Sequence, residues 1–133
     1  MENFPVFHGE VEKGAGLGKK LGFPTFNLHV DPFPDLPHAV YAVRASVGAG
    51  GSSVDGTRTY NALMHFGPKP SVHMTNIFCE VYLLGFADEF EVREMDIEVL
   101  GKIREVMKFE SLDALVEQMK KDEALAISQY FTL

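Results

Sequence analysis

Val40-Tyr41-Ala42-Val43-Arg44-Ala45-Ser46-Val47 is rich in β-branched and aromatic residues and runs into Gly48-Ala49-Gly50-Gly51-Ser52-Ser53. Such side chains suit a pleated, half-buried surface, and the small residues after them suit a turn. Residues 57–66 read as the returning strand, so 40–66 is expected to be an antiparallel hairpin. Working outward, residues 76–86 carry Ile77, Phe78, Val81, Leu83, Leu84 and Phe86, a further strand. In 95–103, Met95, Ile97 and Val99 alternate with Asp96 and Glu98, the period of a half-buried strand. Residues 6–12 and 23–30 supply two earlier strands, separated by a glycine-rich loop. Six short strands with turn signals between them predict a small closed barrel or sandwich.

The period changes near residue 110. Leu112, Leu115, Val116 and Met119 fall at i, i+3, i+4 and i+7, one face of a helix. Ser111 is placed to cap it, its hydroxyl accepting from an exposed amide of the first turn. Asp122 is expected to cap a continuation or a second short helix carrying Leu125, Ala126 and Ile127 and ending at Tyr130 and Phe131. Lys120 and Lys121 are read as basic residues at the helix's negative pole, and Met107 and Met119 as core filling. The fold class is therefore mainly β (α+β), a barrel with a helix packed on it.

The chain has 133 residues, 46% of them hydrophobic, and a formal net charge of −7. One domain spanning 1–133 and one real core are expected at this size. The acidic balance argues against binding a phosphate backbone, so no nucleic-acid partner is expected. Cys79, the single cysteine, cannot form an internal disulfide. A reducing compartment suits it, and a cytoplasmic monomer with no signal segment and no membrane span is expected.

The stretch from Gly9 to Leu28 carries the chemistry. Gly14, Gly16 and Gly18 stand with Lys19 and Lys20 in one loop, followed by Gly22-Phe23-Pro24-Thr25-Phe26-Asn27. Glycines let backbone amides turn toward an anion and the lysines meet its charge, which makes the loop either a phosphate cradle or a mobile hairpin loop. No Gly-Lys-Ser/Thr ending or helix pattern follows, which excludes a P-loop. Thr25 and Asn27 lie two apart and share a strand face. A hydroxyl and an amide oxygen are hard ligands of the kind Mg²⁺ accepts beside phosphates, although a solvated strand face carries the same pair. The five histidines (8, 29, 38, 65 and 73) have no metal-ligand spacing.

Gly9, Val11, Gly14, Gly18, Lys19, Leu21, Gly22, Phe23, Pro24, Thr25 and Asn27 match, at every fixed spacing, a signature that resembles that of riboflavin kinases. It occurs in stand-alone enzymes and in the C-terminal kinase domain of bacterial bifunctional riboflavin kinase/FAD synthetases. Four further stretches follow in the family's order: Leu36-Pro37-His38-Ala39-Val40-Tyr41-Ala42, Phe66-Gly67-Pro68-Lys69-Pro70-Ser71, Glu80-Val81-Tyr82-Leu83-Leu84-Gly85-Phe86, and Ile103-Arg104 with Lys108-Phe109, Ser111-Leu112 and Leu115. The third resembles Glu-x-His-Leu-Leu-Asp-Phe, so Tyr82 and Gly85 depart from it. His65 stands where Asn is common, and Asp88 to Val92 occupies the place of a Tyr-Gly turn.

The resemblance implies a six-stranded Greek-key barrel with a C-terminal helix. It also implies transfer of phosphate from ATP to the 5′-hydroxyl of riboflavin, giving FMN and ADP, with Mg²⁺ or another divalent ion. By it, Thr25 and Asn27 hold metal and phosphates, and Gly14, Gly16, Gly18, Lys19 and Lys20 meet the nucleotide. Glu80 inherits the role of general base, and Arg104 that of an arginine in a mobile loop near the flavin. The chain's 133 residues leave no room for an adenylyltransferase domain as well, so FAD synthesis by this chain is not expected. The alternative is a non-catalytic flavin- or nucleotide-binding module on the same barrel.

Overall fold

The computed structural model describes residues 4–12, 25–48, 58–68, 77–85 and 92–131. Six strands form in chain order: β1 (Val6–Glu12), β2 (Thr25–His29), β3 (Ala39–Gly48), β4 (Arg58–Gly67), β5 (Phe78–Leu83) and β6 (Glu94–Arg104). All pairs are antiparallel, and the sheet closes in the order β1-β2-β5-β4-β3-β6. The expected hairpin is present: β3 and β4 pair from Ala39 opposite Phe66 to Val47 opposite Arg58. β3, β4 and β5 form a meander, and β6 returns to lie beside β3, which is the Greek-key arrangement.

Alternation decides what fills the barrel. Tyr41, Val43, Ala45 and Val47 of β3 point inward with Met64 and Phe66 of β4, Cys79, Val81 and Leu83 of β5, and Met95, Ile97 and Val99 of β6. Tyr41 keeps its phenol satisfied by donating to the Pro37 carbonyl at 2.5 Å. Cys79 is thus a small core side chain, as its apolar neighbours lead one to expect.

A second apolar patch lies on the barrel's outer face. The helix α1 (Leu112–Ala126) continues into one π-helical turn (Ile127–Phe131), and together they cover Ala42 and Leu63 with Ala126, Tyr130 and Phe131. Ser111 caps α1 as expected, its Oγ accepting from the Ala114 amide at 3.1 Å. Other expectations about this segment fail. Asp122 caps nothing; it lies within one continuous helix and is buried. Lys120 and Lys121 therefore sit in mid-helix, away from the pole. The buried stripe runs through Met119, Asp122 and Ala126, so Leu112 at its start is left exposed. Met107, just beyond β6, is exposed too, whereas Met119 is core as read. Among the described residues no helix is long and apolar enough to cross a membrane.

The helix approaches closely because its seat is made of small residues, Ala42 opposite Gly101. A methyl group on Gly101 would collide with the phenol oxygen and ring of Tyr130. Overpacking of this kind costs about 1–3 kcal/mol. Gly101→Ala should lower stability by that amount in thermal unfolding, and much less in a Tyr130→Ala background, where the ring it meets is gone.

Candidate active site

The cross-strand register brings the chemistry-bearing residues together. On β5, Cys79, Val81 and Leu83 face the core, so Glu80 and Tyr82 face out. Glu80 is opposite Asn27 on β2 and opposite His65 on β4. His65 is opposite Val40, which is opposite Arg104. Asn27, Glu80, His65, Val40 and Arg104 therefore form one row across five strands. A second row beside it runs Thr25, Tyr82, Leu63, Ala42, Gly101. Directly opposed residues of an antiparallel pair hold their Cβ atoms ~4.5–5.5 Å apart, so neighbouring side chains along each row are within reach of one another.

Three of the residues singled out in the sequence are thus neighbours: Thr25, Asn27 and Glu80. Glu80 is a buried residue, 8% exposed, although it stands outside the barrel. Tyr82 donates to its Oε1 at 2.7 Å. Asn27 Oδ1 is buried and has no hydrogen-bond partner among the described residues. His65 donates from Nε2 to the Pro68 carbonyl at 3.0 Å. The nucleotide candidates Gly14, Gly16, Gly18, Lys19 and Lys20 lie outside the described residues, as do Ser71 and the acidic stretch 88–91.

Arg104 is placed differently from the expectation of a mobile loop. It is the last residue of β6, and its Nε donates to both carboxylate oxygens of Asp122 at 2.9 Å. Its Nη1 donates to the Glu105 carbonyl at 3.0 Å, and its guanidinium carbon lies 5.6 Å from the centre of the Phe109 ring. Gln118 adds a second donor to Asp122 Oδ1. The reason Asp122 is buried in a helix is now plain: it is the partner of an arginine that would otherwise be half-buried alone.

Burial and the neighbouring Glu80 charge both push the Cys79 thiol up, from 9.0 to about 12. Tyr82 is pushed well above its ordinary value by burial first, then by the charge of Glu80 and the hydrogen bond to it. Tyr82 and Asp122 were not singled out as site residues from the sequence. Tyr82 had a signal, its position two residues from Glu80 on a strand.

The flavokinase (riboflavin kinase) family model matches residues 2–130. The chain belongs to the flavokinase family. It is 34% identical to the RNA-binding riboflavin kinase RibR of Bacillus subtilis, over 88% of this chain and 47% of that protein. It is 30% identical to the bifunctional riboflavin kinase/FMN adenylyltransferase of Haemophilus influenzae, over 86% of this chain and 35% of that one. The matched part of such bifunctional relatives is their C-terminal kinase domain. The chain thus spans half or less of the length of these curated relatives. The crystal structure of a riboflavin kinase from Trypanosoma brucei superposes with a TM-score of 0.58 at 25% identity, covering 94% of this flavokinase chain and 80% of that one.

Two predictions follow from this flavokinase site. Arg104→Ala leaves Asp122, only 3% exposed, as a buried charge without its cation. Breaking such a pair costs about 3–5 kcal/mol, while replacing both partners by apolar residues is often neutral. Thermal unfolding should therefore show a large loss for Arg104→Ala and a recovery in Arg104→Met/Asp122→Leu. Cys79, with its pKa raised, should resist a thiol reagent at pH 8 until the chain is unfolded. Its folded-state pKa lies above the unfolded value, so its contribution to stability is complete below pH 9.0 and is lost as pH rises toward about 12.

Proposed function

We propose that the chain is a riboflavin kinase, moving the terminal phosphoryl group of ATP to the 5′-hydroxyl of riboflavin to give FMN and ADP. One observation carries this reading in a chain of this family: a buried glutamate, Glu80, stands directly opposite Asn27, whose buried amide oxygen Oδ1 nothing described satisfies. Leaving such an oxygen without a partner costs about 1–3 kcal/mol, so a ligand that meets it is favoured.

The donor set fits Mg²⁺. Thr25 and Asn27 are alternate residues of β2 and offer a hydroxyl and an amide oxygen on one face. Bound there with the phosphates, the ion would neutralise their charge as the phosphoryl group moves. Glu80 accepts the proton of the 5′-hydroxyl as the new O–P bond forms and the bond from the terminal phosphorus to the bridging oxygen of ADP breaks. β2 and β5 are adjacent, so phosphate anchor and proton acceptor are one strand spacing apart, ~4.8 Å. That fixes the alcohol and the phosphoryl group within reach of each other before reaction.

Gly14, Gly16, Gly18, Lys19 and Lys20 take the nucleotide in this reading, and Arg104, stacked on Phe109, lies on the flavin side. A metabolic kinase with a free, buried Cys79 belongs in the cytoplasm.

The test is incubation with riboflavin, ATP and MgCl₂ and chromatographic resolution of FMN. The wild type should form FMN. Glu80→Gln should lose about 10²–10⁴-fold in rate, the usual contribution of a general base, while keeping its thermal stabilisation by the magnesium nucleotide. FMN at an equal rate from both would remove Glu80 as base. No FMN from the wild type across several donors and metals would leave the non-catalytic binding module as the better account.

A further inference from the structure

The hydrogen bond from Tyr82 to Glu80 has no part in the reaction just described, yet its surroundings hold it in place. Tyr82 lies opposite Thr25 on one side and Leu63 on the other. Its ring packs in the outer patch with Ala42, Ala126, Tyr130 and Phe131. From that seat the phenol reaches Glu80 Oε1 at 2.7 Å.

The setting asks for a fixed carboxylate. Glu80 is a buried residue, 8% exposed, on a strand whose inner neighbours are Cys79 and Val81. A proton acceptor must present one oxygen to the alcohol in a defined direction. A donor on the other oxygen fixes the side chain's rotamer. We propose that Tyr82 is the positioning residue of Glu80, its phenol holding the carboxylate in one orientation for the substrate alcohol. This rests on the kinase reading above and deepens it.

The phenol stays a donor throughout. Its ionisation is pushed well above the ordinary range by burial and by Glu80 itself, with Arg104 the smallest and opposing cause. Among the described residues, these other groups face the pair. His65 faces Glu80 from β4, and Arg104 with its partner Asp122 approaches from β6 and α1. Tyr130 shares the apolar patch, Cys79 lies next to Glu80 on the core side, and Thr25 and Asn27 on β2 carry no charge. Arg104 is already committed to Asp122 through Nε and to the Glu105 carbonyl through Nη1.

Removing the phenol oxygen leaves the ring and its packing. In Tyr82→Phe, kcat for FMN formation near neutral pH should fall at least about tenfold, the worth of one hydrogen bond to a charged group. KM for riboflavin should stay within about twofold. Fluorotyrosine incorporated at position 82, a donor of nearly the same shape, should restore kcat to near the wild-type value. In a Glu80→Gln background, Tyr82→Phe should add little further loss, because both act on one step.

A wild-type kcat in Tyr82→Phe, with Glu80→Gln crippled, would overturn the positioning role alone. So would an equal loss in both backgrounds, or a fluorotyrosine variant no faster than Tyr82→Phe. Full activity in Glu80→Gln would overturn the base itself, and the role of Tyr82 with it.

Discussion

Because β5 must put Cys79, Val81 and Leu83 into a closed barrel, the residues between them can only stand outside it, and everything about the site depends on that alternation. Glu80 and Tyr82 are turned to the outer face by the same hydrophobic burial that holds the barrel together. The neighbours of β5 are held in the same way, since Met64 and Phe66 fix the facing of His65, and Leu28 fixes that of Asn27. A one-residue slip between β2 and β5 would send Asn27 into the core and Leu28 outward. The register of the site is therefore as stable as the core itself.

The outer face would be wet if the barrel stood alone. The turn from Ile127 to Phe131 and the end of α1 cover part of it, lying on Ala42, Leu63 and Gly101. Tyr82 belongs to that patch through its ring and to the site through its hydroxyl. The Arg104–Asp122 pair ties the middle of α1 to the end of β6 beside it. A buried ion pair contributes little net stability against apolar packing. It does fix position, because an arginine fork and a carboxylate meet in few geometries.

The strands were legible because their burial repeats every two residues, a local property. β1 occupies the expected residues 6–12, and β3 and β4 differ from the expectation by a residue or so at their ends. The helix was legible in its cap and less so in its face. Leu112 fits a helical stripe by spacing, but the barrel meets α1 through Met119, Asp122 and Ala126. Nothing local marks an aspartate as buried when its partner, Arg104, lies 18 residues away. Glu80, Thr25 and Asn27 were singled out through motifs, but their adjacency depends on β2 pairing with β5 across two intervening strands of sequence. That order is set by how the barrel closes, which no short window contains.

The site also shows how a small barrel accommodates polar groups that folding alone disfavours. Asn27 Oδ1 is buried without a partner among the described residues, and Glu80 is buried with Tyr82 donating to it. Each lowers the stability of the free chain, and neither helps to pack the interior, which is complete on the other face of the sheet. The cost is borne by a core that includes Tyr41, Met64, Met95 and Ile97, all fully buried. The orphaned oxygen has a consequence for recognition. A ligand that brings a cation to Asn27 relieves it, whereas one that brings none leaves a buried polar group unmet. Discrimination against ligands without the cation follows from this desolvation penalty, with no need for a wall to exclude them.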